Sequence, residues 1–187
     1  FDITFRFLGT PTAEQQSLVR EAGARWELAI TGDLPEVNAS IPAGQCLAAS
    51  PAVSRTVDDI LIDIEVVAID GPGGIIGQAG PCWTSDYMPF FGALQVDSAD
   101  AAGLVSSGLF DEVVVHELAH ILGLGTLWSY GRTLIDESNS SQYRFVGPAA
   151  STEWSALGGL GRGVPIEMTG GAGTQYSHWS EATFDTE

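Results

Sequence analysis

An α+β fold is the class this sequence predicts, and three stretches predict it. Residues 2–8 alternate as a strand with one buried face, Ile3, Phe5 and Phe7 on one side and Thr4 and Arg6 on the other. Residues 58–70 are rich in Ile and Val and read as the central strand. Residues 109–124 have the length and spacing of a buried helix, with Val113, Val114, Leu118, Ile121 and Leu122 as its apolar faces.

Between these stretches the chain offers weaker signals. Thr10 followed by Pro11 reads as a helix start, a cap and then a first-turn proline. From there Leu18, Ala22, Arg25, Trp26, Ala29 and Ile30 give a helical stripe that fades at Gly32. Residues 38–55 carry Pro, Gly, Ser and Cys46 without a clear period, which predicts a loop or short irregular strands. Residues 71–81 read as loop or edge strand. Their glycines do not make a dinucleotide fingerprint, because Ile76 stands where the last glycine belongs, and a chain without Lys has no phosphate-binding P-loop. Residues 92–97 form another short strand and residues 100–108 a link. Residues 128–187, rich in Gly, Ser, Thr and Pro, predict long loops braced by aromatics, and the five Trp of the whole chain read as loop and core braces. The expected organisation is one domain over residues 1–187, with an upper lobe (1–127) and a loop-rich lower lobe (128–187).

Composition narrows the function classes. Hydrophobic residues make up 44% and charged ones 17%, which describes a globular chain. Against 24 acidic side chains stand seven Arg and no Lys, for a formal charge of -17. Such a surface repels phosphate backbones, so nucleic acid and anionic membrane are poor partners. No apolar run approaches the ~20 residues that span a bilayer, so no transmembrane segment is expected. The start of the chain reads as a strand and not as a signal peptide, so any export signal or pro-segment is expected to have been removed from a secreted protein. Cys46 and Cys82 make an even pair without C-x-x-C spacing, which favours a disulfide over two free buried thiols.

The chemistry sits in His116-Glu117-Leu118-Ala119-His120, inside the predicted helix. Residues four apart project from one helix face, so both imidazoles can reach one tetrahedral ion. Glu117 lies beside them, where it can take a proton from a metal-held water without being a ligand. These are two of only three histidines in the chain. The bland alternative is a histidine pair with no metal. A catalytic zinc needs a third protein ligand, and the short spacing H-E-x-x-H-x-x-G-x-x-H would put it at position 126, which is Thr126. His178, in the run Ser177-His178-Trp179-Ser180-Glu181, is one candidate; Glu137, at the spacing of thermolysin-like enzymes, is the other.

Other features carry weaker readings. Asp97, Asp100, Asp111 and the pairs Asp58 with Asp59 and Asp136 with Glu137 offer oxygen ligands for calcium, although no run matches an EF-hand loop and a solvated acidic face is the plainer reading. Residues 74–80 could supply a strand edge to which an extended peptide adds by backbone pairing, a sequence-tolerant mode of recognition. Tyr143 and Tyr176 read as packing tyrosines.

The run VVVHELAHILGLGTLW (residues 113–128), with Gly147-Pro148-Ala149, Val164-Pro165-Ile166-Glu167, residues 170–174 and residues 177–181, resembles the leishmanolysin-like metalloendopeptidases, bacterial-type members in particular. The similarity extends upstream through Arg25-Trp26-Glu27, residues 58–80 and residues 92–100. The resemblance implies a metzincin fold: a twisted mixed sheet with a backing helix and an active-site helix, and a lower lobe that returns the third ligand. It implies zinc held by His116, His120 and His178, with a large insertion before the last, and Glu117 as general base in the hydrolysis of a protein or peptide substrate. Metzincins place a methionine turn after the third histidine, yet residues 179–187 contain no Met and Met168 precedes His178. The expectation is that a carboxy-terminal piece has been cut off, was omitted or is held as a separate fragment of the same precursor. Two alternatives stay open: a zinc-binding module without turnover, and a zinc peptidase with Glu137 as third ligand.

Overall fold

The computed structural model describes residues 1–130, 134–171 and 173–184. Ala172, inside the glycine-rich run of the resemblance, and residues 185–187 lie outside the described residues. The chain forms two compact units, Phe1–Gly123 and Leu124–Glu187.

The first unit is built on a four-stranded mixed sheet of β1 (Ile3–Leu8), β4 (Ile60–Val67), β6 (Met88–Asp97) and β5 (Gly77–Ser85), in that spatial order. β1 and β6 flank β4 in parallel, whereas β5 returns antiparallel to β6 and forms an edge. Strand β4 is covered on both faces, and Ile60, Leu61, Ile62 and Ile64 are all fully buried, which explains its nearly continuous apolar sequence. One face packs on α1 (Ala13–Ala29) and α3 (Phe110–Ile121), joining Ile60, Ile62, Ile64, Leu94 and Val96 to Val19, Ala22, Val114, Leu118 and Ile121. The other face takes a two-stranded hairpin, β2 (Val37–Ile41) with β3 (Val53–Val57), whose Ile41, Val53 and Val57 join Leu61, Phe90 and Phe91. A disulfide links Cys46, in the loop between β2 and β3, to Cys82 on β5.

Several local expectations shift. The cap of α1 is Thr12, two residues beyond Thr10, because Thr12 and Gln15 form a reciprocal capping box and Pro11 stays outside the helix. Residues 100–108, expected as a link, belong to α2 (Ser98–Ser107), which Asp97 caps and Gly108 ends. Strand β5 runs beyond Pro81, with register shifts between Pro81 and Thr84, and β6 begins four residues earlier than expected.

The second unit carries more regular structure than its composition suggests. Strands β7 (Ile135–Asp136), β8 (Arg144–Phe145) and β9 (Val164–Pro165) pair antiparallel, and α4 (Pro148–Ala156) and α5 (Glu181–Phe184) complete it. The aromatic brace is present: Trp128 lies 4.6 Å from Trp179 and 4.8 Å from Phe145, ring centre to ring centre, beside buried Ile135 and Ile166. Among the described residues no helix is long and apolar enough to cross a membrane.

Candidate metal centre

Helix α3 is held in the first unit on two sides. Val114, Leu118 and Ile121 face the sheet core, and the indole N–H of Trp26 on α1 donates to the Val115 carbonyl at 3.0 Å. Arg25 reaches Asp111 at 2.6 Å and Glu112 at 3.0 Å in the first turn of α3, where acidic residues also suit the helix dipole. Gly92 on β6 lets the helix come close, because a Cβ there would collide with the Ile121 side chain. At the other end Gly123, at φ 102°, turns the chain out of the helix.

With residues 114, 118 and 121 committed to the core, His116 and His120 share a different, half-buried face. Their Nε2 atoms lie 3.2 Å apart and their rings meet edge to face. Two nitrogens each about 2.0–2.1 Å from one tetrahedral ion stand roughly 3.3–3.4 Å apart, so the donor pair fits such an ion. At the same separation one neutral ring can donate to the other. Burial, and secondarily the neighbouring His120, hold His116 below the ordinary histidine range, which favours the neutral form a metal ligand needs. Glu117 points towards the edge strand: a Cβ on Gly77 would stand 3.2 Å from its Oε1. Burial pushes this carboxyl up to about 7.

No known protein family matches the chain, and no curated protein does.

His178 belongs to the second unit, on a loop closed by backbone bonds. The Glu167 amide donates to the His178 carbonyl at 2.8 Å, Ser180 donates to Pro165 at 3.0 Å, and Ile166 and Trp179 form a β-bridge. Glu167, a buried acid, accepts from the amides of Met168 and Thr169 at 2.9 and 2.8 Å, from the Thr169 hydroxyl at 2.6 Å and from the Glu181 amide at 3.2 Å. The Thr169 hydroxyl foremost, and these amides with it, hold the Glu167 carboxyl below its ordinary range. Gly125 makes room for the same loop, since any side chain there would strike the Ser177 carbonyl. Glu137, the rival ligand, is exposed just after β7. Tyr143 and Tyr176 stack on each other, with ring centres 5.4 Å apart.

Five of the acidic residues that offer oxygens for calcium have protein partners, Asp59, Asp97, Asp100, Asp111 and Asp136. Asp97, fully buried, accepts four backbone amides; Asp111 pairs with Arg25; Asp136 accepts the Ser138 amide. Asp33, Asp58 and Asp59 come within 4.8 Å of one another, but Asp59 already accepts the amides of Asp2 and Leu34, each at 2.7 Å. Sequence reasoning missed the organising roles of Asp97 and Glu167. An Asp ahead of residues 98–107 was a signal for the helix cap, but nothing in the sequence marked the gathering of backbone amides by either carboxylate.

Proposed function

We propose that the chain is the catalytic part of a secreted zinc-dependent endopeptidase of the leishmanolysin-like metzincin type, with His116, His120 and His178 as ligands and Glu117 as general base. The observation that carries this reading is the 3.2 Å approach of two imidazole Nε2 atoms on one face of a packed helix, beside the half-buried Glu117 carboxylate. The mixed sheet with its antiparallel edge strand and its packed α1 and α3 agrees with the proposed fold. The disulfide agrees with an oxidising, extracellular setting.

A zinc ion held by these imidazoles would supply a Lewis acid that brings the pKa of a bound water towards ~7. Glu117 takes the proton as the water oxygen adds to the scissile carbonyl carbon, and it returns that proton to the amine nitrogen when the C–N bond breaks. Strand β5 offers backbone groups along an edge, to which an extended peptide chain can add in antiparallel register.

Replacing Glu117 by Gln should leave zinc stoichiometry unchanged while peptidase activity falls by roughly 10²–10⁴-fold. Full activity in that variant would remove the proposed base, and a wild-type chain that binds zinc but cleaves no peptide would leave a binding module. His178→Ala should weaken zinc binding, measured by competition with a chromogenic chelator, by more than the roughly 10–100-fold that accompanies loss of an outer-shell partner. Glu137→Ala should leave it unchanged. The reverse result would move the third ligand to Glu137.

A further inference from the structure

The structure assigns to Asp97 the role of a positioning residue: its carboxylate ties down residues 69–76 so that the edge strand β5 starts with Gly77 against the Glu117 carboxylate. The catalytic half of this inference rests on the function proposed above.

Asp97 ends β6 and is fully buried. Its Oδ1 caps α2 through the Ala99 amide at 2.7 Å. A serine could do as much. The second oxygen does something a cap does not require: Oδ2 accepts the amides of Ile69, Asp70 and Gly71 at 3.1, 2.9 and 3.0 Å. The Asp97 amide in turn donates to the Ile76 carbonyl at 2.9 Å. Two further carboxylates hold the middle of the segment, Asp70 on the Ile75 amide and Asp100 on the Gly73 amide, each at 2.9 Å.

Ile69 is half-buried, but Ile75 and Ile76 are 47% and 39% exposed, so the later part of the segment is shaped by charge-assisted hydrogen bonds and not by a core. The next residue along the chain is Gly77, paired with Val96 in the β5–β6 ladder and lying on Glu117. Misplacement of the segment therefore reaches the start of the edge strand and the carboxylate beside it, and a shift of about 1 Å at such a point can cost up to ~10²-fold in rate.

Asp97→Ser tests the assignment, because one hydroxyl can keep the α2 cap but cannot also hold the three loop amides. In the chain of residues 1–187 without added metal, hydrogen exchange at Ile69, Asp70 and Gly71 should accelerate while α2 amides stay protected. With zinc bound at unchanged stoichiometry, kcat for a peptide long enough to lie along β5 should fall by about ten- to a hundredfold. Val19→Ala, a core truncation in α1, should lose stability without that change in kcat. If Asp97→Ser fails to fold, Asp100→Ala releases only Gly73 and should show a smaller loss in the same direction. Unchanged exchange over residues 69–71 overturns the tie, and faster exchange with wild-type kcat overturns the positioning role. A wild-type chain that cuts no peptide refutes the proposed function instead, and the exchange result still decides what Asp97 holds.

Discussion

Asp97 and Glu167 show one device used twice: a single carboxylate gathers backbone amides from a stretch of chain that has no regular partner for them. For Asp97 the backbone hydrogen bonds, that of Ala99 first, hold the carboxyl down at about 2 against an ordinary 3.8. Because the folded value lies below the unfolded one, the contribution is fully present above pH 3.8 and is lost as pH falls towards 2. The stability difference between wild type and Asp97→Ser, measured by urea unfolding, should be constant above that window and shrink through it on acidification. A difference independent of pH down to 2 would mean that the Asp97 charge is not what the loop binds. The histidine pair and Glu117 were legible in the sequence because helical spacing alone puts residues 116 and 120 on one face. Asp97, Asp100 and Glu167 were not, because backbone amides recruited from elsewhere in the chain leave no mark in the order of side chains.

At the scale of elements, the legible ones were those whose burial imposes a period. Strand β4 reads as apolar throughout because it is covered on both faces, and α3 shows its stripe because Val114, Leu118 and Ile121 are fully buried. Helix α2 escaped notice since only Ala101 and Leu104 are buried, with Val105 partly so, and Gly103 interrupts the stripe. Helix α4 buries no residue at all, so Pro148 at its first turn was its one local signal. The α1 boundary slipped by two residues because a threonine stands on each side of Pro11, and only the reach of Gln15 to Thr12 decides between them. Short strands β2 and β3 have five residues each, too few for their alternation to stand out from the surrounding loop.

At the scale of the molecule, the first unit is tied by one covalent cross-link. Cys46 and Cys82 are 36 residues apart, with Cα atoms 5.5 Å apart, joining the β2–β3 loop to β5. Closing a loop of that length removes denatured-state entropy equivalent to about 4 kcal/mol. Guanidinium unfolding of the Cys46→Ala/Cys82→Ala chain, monitored by far-ultraviolet circular dichroism, should show a loss of that order. No measurable loss would place the cross-link outside the unit's cooperative unfolding. The interruption at Pro81 has its own result for the sheet. A proline offers no amide to a neighbour, and the ladder slips immediately after it, so a chain laid along this margin can zip cleanly only from Gly77 to Gly80. Two molecules meeting margin to margin run out of partners there, which works against growth into fibrils at high concentration.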